Sequence, residues 1–185
     1  MFMKDAKIMP KSRSRLRWLV LTALLAGLTV ALSQIVIPIQ PIPVSLATLA
    51  VLCAGGILGS RRGALSQLVF VLLGAVGLPV FAGFKGGLAA MAGPTGGFIA
   101  GYILAAFVAG LICERTQKLP LIILGMILGA IFYFTPGIIW FMMITKTDLA
   151  GALAVCVLPF LPGDAAKIAL ASALTWRLRA VLKDQ

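Results

Sequence analysis

Charge in this sequence is confined to a few short stretches, and that limits what the chain can become. Residues 18–60 contain no Asp, Glu, Lys or Arg, and the same holds for 63–84, 86–113 and 119–145. Apolar runs of this kind approach the roughly 20 residues that a bilayer-crossing helix needs. Only 11% of the 185 residues are charged, against about 25% in a soluble domain. A water-facing surface is therefore out of reach, and the mean hydropathy of +1.10 agrees. The expectation is an all-α, polytopic membrane protein.

Six spans are expected, at about 18–37, 44–58, 64–76, 96–113, 120–144 and 162–182. Residues 1–17 read as a basic tail and 18–185 as one six-helix domain. Trp18 sits where an aromatic anchor belongs at the head-group level. Alternating prolines at Pro38, Pro41 and Pro43 break the first run, because each fixes an extended or turning backbone. Arg61 and Arg62 lie in the gap after the second. Residues 77–97 hold many glycines, two prolines and one charge, Lys85, yet keep large apolar side chains. Irregular backbone at membrane depth is tolerated only against protein or a cavity, so this segment is expected to pack inward. Pro136–Gly137 is expected to distort the fifth span. Residues 149–158 are expected to lie as a short surface or re-entrant helix, capped by Thr147 or Asp148. Thirteen basic residues then fall on one side and three (Lys85, Lys146 and Lys167) on the other. The positive-inside rule puts both termini in the cytoplasm.

Charged groups inside a membrane domain are costly and mark function by default. Asp164 and Lys167 stand three residues apart at the opening of the last span, just after Pro162, and share one helix face. The plain alternative is a pair that only caps the helix at the interface. Lys85, on the same external side, is either a ligand contact or a snorkelling side chain. Ala23, Gly27 and Ala31 form a small-residue stripe on the first span, suited either to internal packing or to a second protein.

Other classes find no support. There is no His, and Cys53, Cys113 and Cys156 are isolated in apolar surroundings, which reads as packing rather than as a disulfide or metal set. No H-E-x-x-H, opposed Asp pair or nucleophile–base pair points to an enzyme, and no Walker A motif is present. No soluble domain exists to present the +11 net charge to nucleic acid. The first apolar run exceeds the roughly 7–15 residues of a signal-peptide core, so it is taken as a retained span. A channel or small exporter is the remaining alternative, and self-association into a homo-oligomer is left open.

The sequence resembles the BioY family, the biotin-binding S components of energy-coupling-factor (ECF) vitamin transporters. The resemblance covers nearly the whole chain after the basic tail. It rests on Pro41-Ile42-Pro43-Val44-Ser45-Leu46, Leu58-Gly59-Ser60-Arg61-Arg62-Gly63-Ala64 and Gly77-Leu78-Pro79-Val80-Phe81-Ala82-Gly83. Gly86-Gly87-Leu88, Gly93-Pro94-Thr95-Gly96-Gly97-Phe98 and Pro162-Gly163-Asp164 with Lys167 complete it. It implies a substrate-capture subunit with biotin in an external-side pocket and no cofactor; an S component for another vitamin is the neighbouring reading. The substrate-binding set implied is Asp164, Lys167, Lys85, Gly86, Gly87, Thr95, Phe98 and, from the proline-rich loop, Gln40. Lys85 stands where the family often has Arg, and so lacks the bidentate fork. Phe98 stands where the family has a tyrosine, which removes a hydroxyl. The resemblance also implies docking on a transmembrane coupling subunit, with two ATPase subunits, through Ala23, Gly27 and Ala31, in a bacterial cell membrane.

Overall fold

The computed structural model describes the backbone of residues 11–38 and 41–183. The first ten residues of the basic tail and Gln40 lie outside the described residues. The chain is an all-α bundle: α1 (Lys11–Ser33), α2 (Ala47–Leu58), α3 (Ser60–Ala75), α4 (Leu88–Ala92), α5 (Gly96–Cys113), α6 (Leu119–Thr145), α7 (Leu149–Cys156) and α8 (Leu161–Lys183). The six longest of these, α1, α2, α3, α5, α6 and α8, stand where the six spans are expected.

By length and composition, α1 (over Arg15–Ser33), α5 and α6 can each cross a membrane, and α7 with α8, bent by 56° at their break, can form a fourth crossing. At 12 and 16 residues, α2 and α3 are about 18 and 24 Å long, short of the roughly 30 Å hydrocarbon core. Burial explains how α2 tolerates this. Ten of its twelve residues are buried, and it packs against α1, α3, α5, α6 and α8. A helix enclosed by protein need not match the bilayer, since its backbone ends are satisfied inside the fold.

The α2–α3–α5 centre depends on missing side chains. A Cβ on Gly55 would collide with the Ala106 carbonyl of α5, and one on Gly63 would meet the Gly55 backbone at 2.7 Å. Small residues at these crossings let the backbones approach without a hydrophobic drive from water.

Several local expectations are corrected. The first helix ends at Ser33 rather than near residue 37. Val36–Ile37 instead pairs antiparallel with Val44–Ser45 as a two-stranded hairpin, β1 and β2, because the intervening prolines cannot donate helix hydrogen bonds. At its other end α1 begins at Lys11, so the second half of the tail is helical. The α2–α3 turn is a single residue, Gly59, and α3 already starts at Ser60. As expected of a single fifth span, α6 runs through Pro136 to Thr145. Asp148 is the N-cap of α7, accepting from the Gly151 N–H at 3.2 Å.

Candidate functional site

The helices converge differently at the two ends of the bundle. Arg62 sits 4.0 Å over the Trp18 ring, and Ser60 contacts Glu114, so the start of α1 and the α2–α3 and α5–α6 turns share one basic end. At the opposite end the hairpin, the loop 77–87, α4 and the start of α8 surround a cavity.

The cavity is walled by aromatic rings from five parts of the chain. Phe70 (α3) meets Phe81 of the loop edge-on at 5.6 Å, and Tyr102 (α5) at 6.0 Å. Tyr102 stacks on Tyr133 (α6) at 5.6 Å, and Tyr133 meets Phe98 at 5.3 Å. Phe160, just before α8, closes the wall beside Lys167. The space left is about 50 Å³, room for a few waters at roughly 10–15 Å³ each. Sites for small molecules enclose about 300–1,000 Å³, so a ligand requires these walls to part.

Polar groups enter this apolar enclosure at few points. Asp164 and Lys167 are 7% and 6% exposed and paired at 2.9 Å. Their three-residue spacing on α8 aims both at the bundle interior. Lys167 lines both the main cavity and an adjoining void of about 10 Å³, and Asp164 lines that second void. Thr48, near the start of α2, lines both spaces, and its hydroxyl is buried with no partner among the described residues. A buried polar atom without a partner costs about 1–3 kcal/mol, so this hydroxyl marks where a polar group of a ligand, or a water, belongs. Ser33 and Ser45 line the cavity as well.

The end of α1 holds the loop over the cavity. The Ser33 hydroxyl donates to the Val80 carbonyl. The Gln34 amide donates to the Val80 and Phe81 carbonyls at 3.1 and 3.3 Å and accepts from the Phe84 N–H at 2.9 Å. Phe81 and Lys85 then pair backbone to backbone, which sets the Lys85 ammonium at the cavity mouth, exposed to solvent.

A model of the BioY family matches residues 5–184. The chain belongs to the BioY family. Biotin transporter BioY of Rhizobium etli is 39% identical over 170 residues, covering 85% of this chain and 90% of that protein. Biotin transporter BioY of Rhodobacter capsulatus is 40% identical over 162 residues, covering 80% and 85%. The fold is that of the crystal structure of the S-component for biotin from an ECF-type ABC transporter. The TM-score is 0.86 at 29% identity, over 93% of this chain and 95% of that one.

Of the residues that the BioY resemblance singled out, Asp164, Lys167, Lys85, Thr95 and Phe98 come together around the two voids. Gly86 and Gly87 do not line the cavity. They shape its loop instead: a Cβ on Gly86 would strike the Leu78 carbonyl, and Gly87, at φ +85°, donates to the Gly74 carbonyl at 2.7 Å. Ala23, Gly27 and Ala31 all face outward, and a Cβ on Gly27 would touch nothing. Internal packing of that stripe is thereby excluded; the inner face of α1 is Leu25, Ala26, Thr29 and Ser33. Sequence reasoning missed Thr48, Tyr102 and Tyr133. Tyr102 had a usable signal, lying one helical turn after Phe98 on the same face; Thr48 and Tyr133 had none.

Proposed function

We propose that this chain is the substrate-capture subunit of a biotin uptake transporter, a multi-pass protein of a bacterial cell membrane and a transport component rather than an enzyme. The observation that carries the reading is the buried Asp164–Lys167 pair opening onto an aromatic cavity, in a chain of this family. Biotin presents a compact bicyclic body and two polar ends. The rings of Phe98, Tyr102 and Tyr133 suit the body. The Asp164 carboxylate accepts from ureido N–H groups, and the Lys167 ammonium donates to the ureido oxygen; charge-assisted hydrogen bonds of this kind are the stronger ones. Lys85, at the mouth, is placed for the valerate carboxylate, and the Thr48 hydroxyl supplies one further contact. Ala23, Gly27 and Ala31 form the surface that docks on a transmembrane coupling subunit, whose ATPases supply the energy.

A biotin titration of the detergent-purified chain by calorimetry tests the site. One-site binding is expected, weakened by about 1.5–3 kcal/mol in Asp164→Asn, the range for a hydrogen bond to a charged group. Unchanged affinity in that variant would reduce the carboxylate to a helix cap. Tighter binding of riboflavin or thiamin than of biotin would move the reading to another vitamin. For docking, Gly27→Trp is expected to leave the biotin titration unchanged and to abolish co-purification with the coupling subunit; wild-type recovery of the complex would overturn that surface.

A further inference from the structure

At the basic end, α1 and α3 leave a notch of about 380 Å³ between them, lined by Arg15, Trp18, Leu19, Thr22, Arg62 and Leu65. The first four recur at i, i+3, i+4 and i+7 on α1, one face of the helix, and Arg62 and Leu65 face them from α3 one turn apart. Polarity is graded along the notch. Two exposed guanidiniums, Arg15 and Arg62, stand at its rim, and neither has a carboxylate partner among the described residues. Arg62 is held in place over the Trp18 ring. Deeper along the helices the floor is Leu19 and Leu65, 62% and 45% exposed, while the Thr22 hydroxyl is already engaged with the Trp18 carbonyl at 2.8 Å.

We propose that this notch seats one anionic phospholipid, its phosphate between Arg15 and Arg62 and an acyl chain along Leu19 and Leu65. The charge complementarity is direct, since basic pockets between spans on the cytoplasmic side suit anionic head groups. Trp18 fits the same level, at the boundary between head groups and acyl chains. An acidic protein segment would meet the same arginines but would have no use for a leucine floor open to the bilayer. The notch face centres about 130° around α1 from the Ala23–Gly27–Ala31 stripe, by helical geometry, so the phosphate site and the docking surface lie on different faces of the helix.

The test uses the full chain in phosphatidylcholine vesicles, with tryptophan quenching by phosphatidylglycerol or phosphatidylcholine carrying brominated acyl chains. The wild-type chain is expected to favour the brominated anionic lipid by about tenfold. In W18F that preferential quenching should disappear, and in R15Q/R62Q the preference should fall to within about twofold. Biotin binding, unchanged in both, is the control for folding. Equal quenching by the two lipids in the wild type overturns the site, as does a preference that survives R15Q/R62Q. Loss of the preference on adding inorganic phosphate also overturns it, because the notch would then be a phosphate site with no need of an acyl chain.

Discussion

The two ends of the bundle solve the same problem in opposite ways. Every helix end carries backbone groups that need partners, and at the basic end short turns supply them locally. Gly59 alone joins α2 to α3, at φ +83°. The Glu114 carboxylate accepts from the Ser60 N–H at 2.9 Å and from its hydroxyl at 3.0 Å, closing the start of α3. The exposed arginines beside these turns are free to face water and head groups. At the cavity end the α1–α2 and α3–α4 connections are long, α7 and α8 are broken by a 56° bend, and two charges, Asp164 and Lys167, turn inward. An ion pair is buried there and a threonine hydroxyl is left without a partner. The basic end buries a charge too, Arg179, and leaves polar atoms of Gln117, Thr175 and Arg179 without partners among the described residues. What sets the cavity end apart is that its buried ion pair borders a space between the helices.

The strongest way to break this contrast is to unpair the buried charges. Asp164→Ala leaves Lys167 buried and alone, and is expected to lower stability by about 3–5 kcal/mol. The double variant Asp164→Asn/Lys167→Met should regain most of that stability in thermal unfolding while still failing to bind biotin. Recovery of binding along with stability would show that the pair serves the fold only. The next largest effect belongs to the basic end. Gly59→Ala forces a Cβ into a region open to glycine alone and to 2.8 Å from the Glu114 carboxylate, at a cost of about 1–3 kcal/mol. Its biotin affinity should match the wild type, and a matching loss of binding would show that the two ends are not independent. The smallest change sharpens the cavity end. Thr48→Val removes the unpartnered hydroxyl, so the ligand-free protein should be as stable or more so, while biotin binding weakens by about 0.5–1.5 kcal/mol. Equal affinity would assign that hydroxyl to a water rather than to the ligand.

Asp164 and Lys167 were readable in advance because both signals are local: three-residue spacing puts them on one face, and charge is rare in a membrane segment. Lys85 stood out for the same reason, as the one charge between residues 63 and 113. The outward direction of the Ala23–Gly27–Ala31 stripe was not readable, since small residues every fourth position serve an inner crossing and an outer surface equally well. Gly86 and Gly87 show a related ambiguity. Their motif marks the loop, but only the contacts with Leu78 and Gly74 separate a residue that shapes a wall from one that faces the ligand.

Fold class and the end of the bundle at which the cavity forms were implicit in where charge is missing and where prolines and glycines gather. Each follows from the cost of placing charge or unpaired backbone in hydrocarbon. The cavity itself was decided by tertiary structure. Thr48, Phe70, Tyr102, Tyr133 and Phe160 come from five separate elements, and each has the composition of ordinary apolar-helix sequence around it. They meet only because α2 is enclosed by its neighbours and because glycines at its crossings bring α3 and α5 to backbone contact, a long-range packing outcome that no local periodicity encodes.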